Sequence, residues 1–273
     1  MKVIFATDFS KASEVAENFA LAWSKLFIAE LHLIHAFTLP IVDPMLPMGY
    51  MELDAAPIIK SLEEKLSKKG RELQENGVLT KTHLYPGDLL MAIEELTKEI
   101  GKEDTYLILG KSTKNDFLDN LLGSTSASLL NRIEIPVIVF PEDAEVKLPR
   151  KVAYATELEY DEKNILTNTT KLCQRLKAEL NLCHVNLDLN LDIVPDDQFI
   201  EEIKSLSENP SLQIEFVKAE SLKEGIKRFI VDSKSDLLVL ASHKRNFLDQ
   251  LIMPSKSKTL LNNISIPMLI FHF

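Results

Sequence analysis

The chain nearly repeats itself. KVIFATDF at residues 2–9 returns as KVAYATEL at 151–158, and LIHA at 33–36 returns as LCHV at 182–185, both displaced by 149 positions. Further on, FLDNLL (117–122) returns as FLDQLI (247–252) and LLNRIEIPVIVF (129–140) as LLNNISIPMLIF (260–271), with the displacement reduced to about 131. The second copy therefore lacks about 18 residues, and the loss falls where the first has FTLPIVDPMLPMGYMELDA (37–55) and the second only LDLNLDIVPDD (187–197). Any fold proposed for one half must also serve the other.

Within each half, short apolar runs alternate with helical patterns. KVIFA, AELHLIHAF, LTKTHLYP, TYLILG and PVIVF have strand length. SEVAENFALAWSKLF, IIKSLEEKLSKKGRELQENG and GDLLMAIEELTKEIG have helical periodicity, with Val15, Phe19, Ala20 and Trp23 on one face of the first. The second half follows with KVAYAT, NLCHVNL, LQIEFVKA, DLLVLAS and PMLIFHF, and with helices expected near 161–180, 195–208, 221–233 and 255–263. Strict β-α alternation with short connections implies parallel strands covered by helices on both faces. The expected fold is α/β: two tandem doubly wound domains, 1–145 and 146–273, each with a five-stranded parallel sheet flanked by helices. PEDAEVKLPR (141–150) joins them.

Composition narrows the function classes. With 45% hydrophobic and 26% charged residues the chain can bury a core without staples. A net charge of −10 argues against a broad surface for nucleic acid or anionic membrane. No run of about 18 apolar residues occurs, and MKVIFATDFS turns polar too soon for a signal peptide, so a cytoplasmic protein is expected. Cys173 and Cys183 belong to neither a CxxC nor a Cys/His cluster and read as small buried hydrophobes. GxSxG, HExxH, GxxxxGK[ST] and GxGxxG are all missing, so neither a catalytic nor a metal site is assigned.

Doubly wound sheets bind ligands outside the carboxyl ends of their strands, where the winding reverses. Those ends are Ala6-Thr7-Asp8-Phe9-Ser10, His35-Ala36-Phe37 and Gly110-Lys111-Ser112-Thr113, followed by the helix start Gly123-Ser124-Thr125-Ser126. A carboxylate accepts hydrogen bonds from sugar hydroxyls; glycines and a hydroxyl-rich helix start suit phosphate oxygens. Each part also has a plain structural reading. Gly123-Ser124-Thr125-Ser126 is a good N-cap after a turn, and Asp8 is a good cap for the first helix. Lys111 and Lys114 read as solvated loop charge, and His35 and His184 as buried, hydrogen-bonded strand residues.

With TDFS, LIHAF, the Gly110, Thr113, Gly123-Ser124 spacing and IPVIVF in order, both halves resemble universal stress protein domains. The ATP-binding pattern of that family is G-x2-G-x9-G-[ST] after an early Asp; Thr113 departs from its second glycine. The resemblance implies a tandem universal stress protein, adenine nucleotide alpha hydrolase-like in fold, with ATP or AMP as ligand and Mg2+ as an optional companion. It implies that Asp8 contacts the nucleoside, Ala36 offers backbone atoms to adenine, and Gly110, Ser112 and Thr113 line the ribose and phosphate approach. Gly123, Ser124, Thr125 and Ser126 would hold phosphate oxygens. It also implies pairing of the final strands into an internal pseudo-dimer, with a homodimer and an unknown protein partner as further associations.

The second copy departs further: Glu157 replaces the early Asp, Ala241 the first glycine, and Met253-Pro254-Ser255-Lys256 the hydroxyl-rich helix start. Proline removes a donor and the glycines are gone, so this copy is expected to be structural. Two functions stand: a stress-response module binding an adenine nucleotide in its N-terminal domain, with at most slow incidental hydrolysis, or an interaction module of the same fold that binds none.

Overall fold

A computed structural model describes residues 1–39, 55–112, 132–158, 162–187, 201, 205, 212, 214–242 and 265–272. The first repeat contributes β1 (Lys2–Ala6), α1 (Lys11–Phe27), β2 (Glu30–Phe37), α2 (Ala56–Glu75), β3 (Thr80–Pro86), α3 (Leu89–Ile100), β4 (Thr105–Lys111) and β5 (Val137–Pro141). The second contributes β6 (Lys151–Ala155), α4 (Lys163–Leu176), β7 (Glu179–Asn186), β8 (Ile214–Lys218), α5 (Leu222–Ser233), β9 (Leu237–Ser242) and β10 (Met268–His272). Each expected strand is present. The helix expected at 255–263 lies outside the described residues, as does that at 195–208 apart from Glu201 and Ser205, which are helical.

The chain divides into two compact units, Met1–Gly110 and Lys111–Phe273. In the first, the parallel strands run in the order β3-β2-β1-β4. β1 therefore lies where the winding reverses, with β2 on one side and β4 on the other. In the second, β8-β7-β6-β9-β10 repeats this plan in parallel, and β5 pairs antiparallel with β10, Ile138 opposite Leu269. β5 thus belongs to the first copy by sequence and to the second unit by packing. That is why the units divide well before the repeat boundary.

Burial follows from the pattern. Val3, Ile4 and Phe5 of β1 are all fully buried, as expected of a parallel strand covered on both faces. α1 buries Ala12, Ala16, Phe19, Ala20, Trp23 and Phe27, a stripe at helical spacing, and Trp23 packs against Phe19, Phe27 and Tyr106 of β4. α2 lies on the same side as α1, since Lys69 of α2 bridges Glu17 of α1 at 2.9 Å and Gly70 packs on Thr82 of β3. Cys173 and Cys183 are free and buried, and burial pushes the Cys173 thiol up to about 12 and the Cys183 thiol up as well. No helix among the described residues is long and apolar enough to cross a membrane.

α1 ends on Ile28 in the left-handed conformation, φ 50°, with its side chain 91% exposed. A β-branched residue there is strained by about 1–2 kcal/mol, and this one has little packing to lose. Ile28→Gly is expected to raise stability by about 1 kcal/mol, read as an upward shift of the urea midpoint at unchanged slope.

Candidate functional site

Strand register brings three of the expected residues to one end of the first unit. Ala6 pairs with Ile34 of β2 and with Leu109 of β4, so Asp8, Ala36 and Gly110 all lie within two residues beyond that rung. Ala36 is half-buried near the end of β2, where the Phe37 carbonyl accepts the Gly87 N–H at 2.8 Å. Ser112 follows β4 directly and is half-buried. Thr113, Gly123, Ser124, Thr125 and Ser126 lie outside the described residues, as do Lys114 and the second-copy segment Met253 to Lys256.

The exit of β1 is a tight, hydrogen-bonded turn. Thr7 accepts the Phe9 N–H on its hydroxyl at 3.0 Å and contacts the Ser13 hydroxyl at 3.1 Å. Its carbonyl accepts the Nδ1–H of His35 at 2.7 Å, and the His35 ring lies 4.6 Å from that of Phe9. Phe9 is held at φ 61°, so the chain reverses sharply and leaves Asp8 exposed. The strand-histidine reading of His35 holds.

The capping reading of Asp8 is corrected in detail. Ser10 is the N-cap of α1, accepting from the Ser13 N–H, while Asp8 Oδ1 accepts the Ser10 N–H at 2.9 Å. Among the described residues Asp8 Oδ2 is engaged by nothing. The loop reading of Lys111 is also overturned: it is the last residue of β4 and 2% exposed. β4 runs one residue beyond the glycine where the apolar pattern stops, and the Lys111 carbonyl accepts the N–H of Glu142, just past β5, at 2.8 Å.

Gly110 has a packing reason of its own. A Cβ there would stand 2.5 Å from the Ala12 carbonyl oxygen and 2.8 Å from the Ser13 nitrogen, so the first turn of α1 rests directly on the β4 backbone. Gly110→Ala is expected to destabilise by about 1–3 kcal/mol whether or not a ligand is present, because backbone cannot yield as a side-chain tip can. Chemical unfolding of the two proteins checks this.

The second copy keeps the turn and changes its filling. Thr156 accepts the Leu158 N–H at 2.9 Å, Leu158 is at φ 64°, and His184 Nδ1 donates to the Thr156 carbonyl at 3.0 Å. Where the first copy has Phe5 and Ser13, however, the second has Tyr154 and Glu162. Glu162 is 4% exposed and accepts from the Thr156 hydroxyl at 2.5 Å, the Tyr154 hydroxyl at 3.3 Å and the Glu157 N–H at 2.8 Å. Burial, with the nearby carboxylate, pushes the Tyr154 phenol well above its usual range.

Motif reading missed this pair. The signal was the joint change of two positions at the 149-residue displacement, Phe5 to Tyr154 and Ser13 to Glu162. Glu162→Ala leaves buried donors without an acceptor, and a loss of about 1–3 kcal/mol in an unfolding titration is expected. Ser13→Ala, which removes one neutral hydroxyl, should cost less.

Residues 1–141 and 149–272 each match the universal stress protein family. A universal stress protein from Archaeoglobus fulgidus DSM 4304 has a similar structure, with a TM-score of 0.75 at 16% identity over 99% of this chain and 96% of that one. A putative universal stress protein from Pseudomonas aeruginosa UCBPP-PA14 aligns with a TM-score of 0.60 at 13% identity, over 100% of this chain and 93% of that one. The cytoplasmic domain of a prokaryotic cation chloride cotransporter aligns with a TM-score of 0.52 at 12% identity, over 98% of this chain and 94% of that one. At such identities the likeness is one of fold, and a fold serves many functions. No curated protein matches the chain.

Proposed function

Because the chain belongs to the universal stress protein family, each copy matching it over nearly its whole length, we propose that it is a cytoplasmic stress-response module that binds ATP or AMP in its N-terminal copy and has no dedicated catalysis. The observation that carries this reading is the exit of β1. An exposed carboxylate with one oxygen that no described residue engages stands where the winding of the sheet reverses, beside the ends of β2 and β4. Asp8 would accept the hydroxyls of the ribose, and the Ala36 backbone would meet the base. The phosphates would fall to Gly110, Ser112, Thr113 and the Gly123-Ser124-Thr125-Ser126 start. Among the described residues no group of three His, Cys, Asp or Glu is placed to hold a metal ion, so Mg2+ would arrive with the nucleotide.

A single site per chain is expected. Glu162 brings a carboxylate to the second strand exit, where it would repel a phosphate, and Ala241 stands where Gly110 does in the first copy. The antiparallel β5–β10 pair supports an internal pseudo-dimer of the two copies, a frame through which occupancy would alter contacts with a protein partner or a second chain.

The interaction-module reading also has an observation in its favour. Gly110 is accounted for by the close approach of α1, and Asp8 by its own turn, without any ligand. Isothermal titration separates the two. Nucleotide binding predicts one ATP or AMP per chain, with affinity reduced about tenfold or more in Asp8→Ala and in Gly123→Val/Ser124→Ala. No heat at millimolar nucleotide sinks the nucleotide reading, and unchanged affinity in both variants means the site is elsewhere.

A further inference from the structure

The first unit holds a histidine pair that nucleotide binding does not use. His32 on β2 is 2% exposed, and its Nδ1 lies 3.0 Å from Nε2 of His83 on β3. The rings stack with centroids 5.2 Å apart, and His83 stacks in turn on Tyr85 at 6.4 Å. β3 is the terminal strand of the order β3-β2-β1-β4, and α2 covers its opposite face through Gly70 and Thr82.

The groups that act on the pair are few. Glu30 of β2 has Oε1 3.9 Å from His32 Nε2 and 2.7 Å from Lys81 Nζ. Lys2 of β1 acts on His32, Lys81 of β3 on both rings, and Glu99 of α3 on His83; Glu95 and Glu99 act on Tyr85. His32 Nε2 is buried and has no hydrogen-bond partner.

A nitrogen–nitrogen contact of this length needs one donor and one acceptor. The Glu30 carboxylate favours a proton on His32 Nε2, which assigns His32 Nδ1 as acceptor and His83 Nε2–H as donor. The two rings then respond differently to acid. His83 can take a second proton on Nδ1 and keep its bond. Once His83 carries both protons, a second proton on His32 must go to Nδ1, where it meets the His83 N–H head-on with the His32 ring buried.

We propose that His32 and His83 form an acid-sensitive latch between β2 and the strand β3, closed while His32 Nδ1 is bare and opened when it is protonated. The electrostatics agree in sign. Burial above all holds both rings below their usual 6.5; for His32 the His83 charge adds to this and Glu30 opposes it, while for His83 Glu99 opposes it. The native state therefore binds fewer protons than the unfolded chain. The stability this confers is complete above the unfolded value and is lost as pH falls through 6.5 towards the lower folded values. Glu30, itself held below 4.5 by Lys81, contributes only at more acid pH.

The test uses the full chain without nucleotide. Nitrogen-detected imidazole NMR from pH 8 to 5 should give a His32 midpoint below 6.5, with His83 protonating first. Over the same range the protection of the Thr80–Tyr85 amides relative to those of β1 should fall by up to about tenfold per pH unit for each ring. In His83→Phe, which keeps a flat ring but carries no proton, that relative loss should shrink to no more than the share of the one remaining ring, His32. A His32 midpoint at or above 6.5, a protection ratio indifferent to pH in the wild type, or an equal change in the variant would each overturn the latch. The wild-type titration decides even if the variant does not fold.

Discussion

A parallel strand covered on both faces can hold a polar side chain only where a partner satisfies it or at its ends, and that constraint organises both halves of this protein. β1 and β6 are the innermost of their copies and carry buried apolar residues on both faces, Val3, Ile4 and Phe5 in one and Val152, Ala153 and Tyr154 in the other. Helices above and below close the sides. Polar chemistry is pushed to the carboxyl ends of the strands, where the winding reverses and backbone groups come free of the ladder. The turns after β1 and β6 are accordingly hydrogen-bonded alike, with a threonine hydroxyl, a histidine Nδ1–H and a left-handed residue in the same places.

The two copies show how one scaffold can be kept while its contents diverge. In the first, the space behind the turn holds the small pair Thr7 and Ser13, and Asp8 faces outward. In the second, Glu162 comes in from the start of α4 and gathers the Tyr154 and Thr156 hydroxyls and the Glu157 N–H onto one carboxylate. A buried carboxylate is tolerable only when donors surround it. Tyr154, where the first copy has Phe5, supplies one such donor, so the two differences between the copies meet in one contact.

Much of this was legible in the chain. The repeat and the alternating pattern led to all ten strands, and the 149-residue displacement placed His35 and His184 in equivalent structural roles before any coordinates. Asp8, Ala36 and Gly110 were assigned to strand ends that the structure places side by side, because parallel strands present their carboxyl ends on one edge of the sheet; the strand order itself came from the fold. The capping detail at Asp8 and the burial of Lys111 were not legible. Ser10 and Asp8 are both competent caps, so which one serves depends on the angle at which β1 enters α1, and Lys111 is taken inside by the extension of β4.

The sequence by itself determined the fold class, the doubling, the strand ends where a ligand would sit and the loss of the motif in the second copy. Each of these depends on residue type at short spacing or at a constant displacement. Tertiary structure alone decided that Gly110 supports α1, that Glu162 fills the second strand exit, that β5 pairs with β10, and that His32 meets His83 across 51 residues of chain. These are contacts between elements distant in sequence, and their register, a matter of a few ångströms, is set by how strands and helices pack rather than by any local pattern.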